Sequence, residues 1–285
     1  MKRTIMVTEP TGMLEQEIIK KLRDRGFCVK IAVHHSLEAK VLSYECPVVT
    51  LDYVNPESCK NALEGVSSVF LGLPVSYPGL DEVFLPFVKM AREMGVEQIV
   101  GLGRIGQGTD SPLMVVEKCI INCGINYTLL RPNLYMQHFK NIAADGIRKN
   151  KSINLPAGDA KISFVDIRDV AEAAAQSFQH SKHQNKMYTI TGMESLDHYQ
   201  IAEILTRVTG KKITYTPVSH NELWKILKEN GWDDDSIELM VGLYEIARHG
   251  WSQDVSGDLE TILERPPITF EQFAGDYLKE WKSEN

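Results

Sequence analysis

Over its first half the chain switches repeatedly between short apolar runs and stretches with helical spacing, and this alternation limits what it can fold into. The expected strands are Thr4–Thr8, Cys28–Val33, Pro47–Leu51, Ser68–Leu71, Gln98–Gly101 and Asn126–Leu130. The expected helices lie between them: Met13–Arg25, Leu37–Leu42, Pro56–Leu63, Leu80–Met94 and Pro112–Cys123. Strands that alternate with helices in this way predict an α/β fold, a doubly wound parallel sheet with helices on both faces. Gly26, Gly65, Gly95 and Gly124 follow the helical stretches, where a C-terminal cap favours glycine.

The second half is less regular. Ile162–Val165 reads as a short strand, and Asp166-Ile-Arg-Asp-Val-Ala-Glu-Ala-Ala-Ala as a helix whose acidic first turn suits its dipole. Lys186–Thr191 reads as another strand. Helices are expected over Ser195–Thr209, Ser219–Asn230, Asp233–Arg248 and Thr269–Trp281, with a strand at Lys212–Thr216. The expected organisation is therefore a first domain over 1–150, joined by 162–191, and a smaller mixed α/β lobe over 192–285.

Composition narrows the class of partner. A net charge of -7 without a basic cluster argues against direct nucleic-acid contact. No apolar run approaches membrane-spanning length. Lys2-Arg3 is followed at once by a short strand and a polar loop, so no signal peptide is expected. Five cysteines without framework spacing read as reduced thiols, and the expected location is cytoplasmic. Cys119 and Cys123 share a helix face, but no further ligand completes a metal site. The expected partner is a small-molecule ligand, bound by a monomer or a homodimer.

The loop after the first strand carries most of the functional information. Thr8-Glu-Pro-Thr-Gly-Met-Leu-Glu15 stands where a Rossmann fold places its glycine-rich, phosphate-cradling turn. Only Gly12 of the expected glycines is present. Glu9 and Glu15 occupy the other two positions, adding bulk and negative charge where phosphates sit. Weak or absent binding of NAD or NADP is the expectation that follows.

Several longer stretches then share an order and spacing with one family. They are Leu51-Asp-Tyr-Val-Asn-Pro-Glu-Ser, Gly124-Ile-Asn-Tyr-Thr-Leu-Leu-Arg-Pro-Asn-Leu-Tyr-Met, Ile162-Ser-Phe-Val-Asp-Ile-Arg-Asp-Val-Ala and Tyr188-Thr-Ile-Thr-Gly. Ile201-Ala-Glu-Ile-Leu and Thr209-Gly-Lys-Lys-Ile-Thr-Tyr-Thr-Pro-Val complete the set. On these residues the chain resembles the NmrA-like family of atypical short-chain dehydrogenases, which includes triphenylmethane reductases and NAD(P)H quinone reductases.

The resemblance implies where a dinucleotide would lie. Thr8, Gly12, Met13 and Leu14 would meet its phosphates. His34 falls where NADP-preferring relatives place an arginine, and Asp52 where they meet the adenine edge. Gly72, Leu73 and Pro74 would pass along the cofactor. Arg131, Asn133, Tyr135 and Met136 would border the substrate. Arg104, the one charge in the Gly101-Leu-Gly-Arg-Ile-Gly-Gln-Gly108 loop, either meets an anionic substrate or pairs with Glu9.

The tyrosine–lysine pair of typical short-chain dehydrogenases is absent. Aligning Glu117 with the family's helix glutamate puts Thr109 and Leu113 at its two places. Catalytic candidates are then Glu9, Glu117, Tyr135 and His138. The function implied by the resemblance is an NAD(P)-dependent oxidoreductase acting on a small planar unsaturated or quinone-like substrate. The alternative is a cofactor-free relative, either a ligand-binding or regulatory protein or an isomerase or cyclase that uses the same cleft.

Overall fold

The structure is a computed structural model that describes residues 3–34, 46–72, 79–106, 108 and 111–282. The expected helix at Leu37–Leu42 lies outside the described residues. By its internal contacts the chain divides into two units, Met1–Arg131 with Ile167–Thr189, and Pro132–Asp166 with Ile190–Asn285.

The first unit is built on a parallel sheet. Its strands are β1 (Thr4–Val7), β2 (Cys28–Val33), β3 (Val48–Thr50), β4 (Ser68–Leu71), β5 (Gln98–Leu102) and β6 (Asn126–Pro132). β7 (Ser152–Ile153) belongs to the second unit, and β8 (Lys186–Ile190) closes the main sheet. The order is β3-β2-β1-β4-β5-β6-β8, with parallel pairing from β3 through β6. The Asn185 amide donates to Tyr127 O at 2.6 Å and the Asn133 amide to Ile190 O at 2.9 Å. Both chains advance in the same sense between those bonds, so β8 is also parallel. The strand order reverses between β1 and β4, and the carboxyl ends of those two strands form the switch point where such sheets bind ligands.

Helices cover both faces of this sheet. α1 (Met13–Asp24), α2 (Pro56–Leu63), α3 (Leu80–Glu93) and α4 (Pro112–Asn122) follow successive strands. Pro56 and Pro112 each stand at the first turn of a helix behind a capping side chain, Asn55 and Ser111. Cys59 and Ala62 of α2, Phe84 and Phe87 of α3, and Val116 and Ile120 of α4 share one core with Met6, Val69, Leu71, Ile99 and Leu129. The alternate strand positions, Ile5, Val7, Ile31, Phe70 and Val100, are also buried and point to the other face. α5 (Ala144–Asn150) lies in the second unit, and α6 (Ile167–Gln179) packs along α1 in the first.

The second unit has its own aromatic core, with Phe139, Phe164, Tyr244, Phe270, Phe273 and Trp281 all buried. Its helices include α7 (His198–Thr209), α8 (His220–Glu229), α9 (Asp234–Arg248), α10 (Asp258–Leu263), α11 (Phe270–Asp276) and α12 (Leu278–Trp281). Reciprocal capping boxes, Asp197 with Gln200 and Ser219 with Glu222, begin α7 and α8. β7 pairs in parallel with β9 (Thr214–Tyr215).

Ile162–Val165 is not the regular strand the alternation suggests. Its backbone divides its bonds among three segments. Ile162 bridges Leu196, the Ser163 amide donates to Ser252 O, and Val165 bridges Tyr135. Nor is Thr269–Trp281 one helix, because the chain turns at Tyr277 between α11 and α12. A five-residue π-helical turn, Phe139–Ala143, precedes α5 without any expectation of it from the sequence.

Candidate functional site

The switch point is closed by side-chain bonding. The Thr8 hydroxyl accepts from the Gly72 amide at 3.0 Å and donates to Gly72 O at 3.1 Å. This fixes the end of β4 beside the end of β1. The chain then turns at Glu9, whose φ of 54° lies in the left-handed region that glycine favours. The Gly12 amide donates to Glu9 O at 3.1 Å, and α1 begins with no side-chain cap at Gly12.

Glu15 supplies the anion that this helix end attracts. Its residue is only 9% exposed. A Cβ on Gly12 would fall 2.0 Å from Glu15 Oε2, and a Cβ on Gly72 would fall 2.9 Å from Oε1. The carboxylate therefore fills the space that both glycines leave open. Burial pushes its pKa from 4.5 to about 7, its own backbone N–H opposes that rise, and the Glu9 charge adds to it. The two carboxylate oxygens occupy the space beside the switch-point glycines.

That burial has a measurable consequence for stability. The folded chain holds the Glu15 proton more tightly than the unfolded chain. Its contribution is thus full below about pH 4.5 and is lost as pH rises through about 7. The shift amounts to roughly 3 kcal/mol. Glu15→Gln is expected to gain roughly 2–3 kcal/mol over wild type between about pH 5 and about pH 8. Urea unfolding of both chains at the two pH values measures this. A difference that stays constant with pH would mean that the carboxylate is solvated.

The neighbouring candidates are engaged as follows. His34 Nε2 lies 2.7 Å from Glu9 Oε1, and its ring meets Tyr53 edge-on at 5.4 Å. Glu9 is thus paired with His34 rather than Arg104. Arg104 Nε is buried without a hydrogen-bond partner, and burial lowers the pKa of this guanidinium. Asp52 is exposed and caps its own turn, with Oδ1 accepting from the Val54 amide at 3.1 Å. Leu14 is in the core and Met13 is exposed. Leu73, Pro74 and Thr109 lie outside the described residues.

At the end of β6, Arg131 is committed to Glu117. Its Nε donates to Glu117 Oε1 at 3.1 Å, and its Nη2 donates to Oε2. Glu117 is 1% exposed. A Cβ on Gly103 would fall 1.9 Å from Glu117 Oε1, so the glycine after β5 makes room for this pair. Leu113, at the place of the lysine in typical relatives, is buried on the same helix.

The second unit holds the remaining candidates. Asn133 is buried and fully bonded. Its Nδ2 donates to Ser163 Oγ at 2.7 Å and Ser252 O at 2.8 Å, and its Oδ1 accepts from the Leu134 amide. Tyr135 and His138 rings lie 5.5 Å apart. His138 Nδ1 is buried without a partner, and burial lowers the ring's pKa to about 4. His138 is therefore neutral near pH 7 and suited to accept a hydrogen bond, not to serve as a resting acid. Met136 lines a narrow crevice with Phe164, Met193, Leu196, Ile268 and Phe270. His198, which the sequence did not mark, is enclosed by Phe139, Phe164, Tyr215 and Tyr244 with neither ring nitrogen bonded.

Among the described residues no cluster of His, Cys, Asp and Glu could hold a metal ion, and no helix is long and apolar enough to cross a membrane.

The sheet order, the switch-point turn and the glycines on both sides of it define an α/β protein of dinucleotide-binding type with an altered cradle. The chain belongs to the NmrA-like family, whose sequence model matches residues 113–261. It is 25% identical over 277 residues to the NAD(P)H azoreductase of Xenophilus azovorans, covering 95% of this chain and 96% of that protein. It is 30% identical over 241 residues to festuclavine synthase I of Penicillium roqueforti, covering 81% of this chain and 82% of that one. The crystal structure of Citrobacter sp. triphenylmethane reductase complexed with NADP(H) matches with a TM-score of 0.83 at 26% identity, over 94% of this chain and 98% of that chain.

Proposed function

We propose that this chain is an NmrA-like oxidoreductase in which NAD(P)(H) is a weakly held, exchangeable ligand and not a resident cofactor. The observation that carries this reading is the Glu15 carboxylate, which takes up the space beside Gly12 and Gly72. A helix N-terminus carries about +0.5 elementary charge and draws one anion. Here that anion is part of the chain, so a dinucleotide binds only against its charge. The similarity to a NAD(P)H azoreductase and to an NADP(H)-bound triphenylmethane reductase supports the oxidoreductase class. It also supports a small, planar, unsaturated or quinone-like substrate.

A second reading is a cofactor-free relative that uses the fold for ligand binding, regulation or isomerase-type chemistry. It is favoured by Leu113, a buried apolar residue at the place of the catalytic lysine, and by Glu117, which is engaged by Arg131. Calorimetric titration of NADH and NADPH into the purified chain separates the two. Binding with a dissociation constant of roughly 0.1–1 mM near pH 7 is expected on the first reading, about 4–5 kcal/mol of net association. Low-micromolar binding would show that Glu15 does not block the cradle. Complete absence of binding would favour the cofactor-free reading.

A further inference from the structure

We propose that the cradle is a proton-controlled dinucleotide site, in which ionised Glu15 excludes the pyrophosphate and uptake of one proton at its carboxylate releases the exclusion. This rests on the reading that the cradle takes a dinucleotide at all.

The geometry makes the exclusion a matter of charge as well as volume. The two Glu15 oxygens lie against the bare faces of Gly12 and Gly72, on either side of the switch point. Among the described residues no lysine, arginine or histidine forms an ion pair with Glu15, and its stabilising contact is its own backbone N–H. An ionised carboxylate in that position holds to the positive helix end and repels an incoming phosphate. A protonated carboxyl is neutral. It no longer repels a phosphate and, turning aside within the cradle, can donate a hydrogen bond to a phosphate oxygen, so the complex keeps the proton.

The surrounding groups leave Glu15 as the group that titrates on exchange. Glu9, in the preceding loop, is negative but held by His34 at the end of β2. The facing ends of β1 and β4 present Thr8 and Gly72, which do not titrate. On α1 itself Glu17 pairs with Lys20. α6, packed along α1, carries Arg168, Asp169 and Glu172, and Glu172 is held by Lys21 and Arg25 toward the far end of α1. Because burial raises the Glu15 pKa to about 7, the change of state falls near neutrality. Below that pH the cradle is released, and above it each further unit weakens binding about tenfold.

NADH is the probe, since its diphosphate and bases do not titrate between about pH 6.5 and about pH 9. It is titrated calorimetrically into the wild-type chain across that range, in buffers of different ionisation enthalpy. Affinity is expected to fall about tenfold per unit above pH 7, with uptake approaching one proton for each NADH bound. Glu15→Gln is expected to bind with an affinity that is flat across the range and with no proton uptake. His34→Gln alters affinity but keeps the slope, which separates Glu15 from the nearby imidazole. Wild-type binding without proton uptake, or a slope that persists in Glu15→Gln, overturns the proposal and leaves the dinucleotide reading standing. No NADH binding by wild type, Glu15→Gln or Glu15→Gly at any pH overturns both. The proton count on the wild type needs no variant, so misfolding of a substituted chain does not decide the matter.

Discussion

At about pH 8, the Glu9→Gly/Glu15→Gly chain is expected to bind NADH on the order of a thousandfold more tightly than wild type. At that pH the Glu15 charge accounts for about tenfold, the cost of protonating it, and the rest is loss of the Glu9 charge, since two unit charges ~4 Å apart repel by about 4 kcal/mol at an effective dielectric near 20. The substitution also reopens the volume between Gly12 and Gly72 that the carboxylate fills. At Glu9 the backbone φ of 54° is one that glycine adopts freely, so Glu9→Gly also relieves strain of roughly 1 kcal/mol or more, which adds to folding stability and not to affinity. The same change frees His34 from its carboxylate partner. Calorimetry on both chains reads the effect. Equal affinities would mean that the carboxylates leave the cradle without cost.

Arg131→Ala is expected to destabilise the folded chain by about 3–5 kcal/mol. The guanidinium is bonded to Glu117, which is 1% exposed, so its loss takes a cation from beside a buried carboxylate. Desolvating an unpaired charge is far more costly than losing a surface ion pair. Replacing both members, as Glu117→Gln with Arg131→Met, is expected to recover most of the loss, because no buried charge then remains. Urea unfolding of the single and double variants measures this. A loss below about 1 kcal/mol for Arg131→Ala would show that solvent reaches Glu117.

The sheet was legible because its signal is repeated and local. β1, β3, β4 and β5 are each an apolar run followed by a helix, and α2 and α4 open on a capping side chain. The Glu9 and Glu15 substitutions were legible for a similar reason, since a glycine position carries its requirement in the sequence. What stayed hidden depends on partners far apart in the chain. The bond between His34 and Glu9 joins residues from two different strand ends, and neither residue type alone announces it. Arg131 reads as a cleft residue from its place after β6, yet Glu117 claims it from α4. Gly103 could have given a hint, because a glycine directly after a central strand marks a close approach there. Ile162–Val165 has a strand's composition, but its hydrogen bonds are divided among separate segments. The pattern of apolar residues cannot report that.

Glu15 also bears on how this cradle can change through descent. A cofactor normally keeps its glycines in place by filling the space beside them, and a lineage that loses the cofactor is free to let side chains grow in. Here the carboxylate imposes the same demand, since a Cβ at Gly12 would lie 2.0 Å from it and one at Gly72 would lie 2.9 Å from it. A side chain at Gly12 or Gly72 is therefore resisted by the carboxylate itself. One substitution at Glu15 empties a cavity that already has the right shape, and change at this site remains reversible.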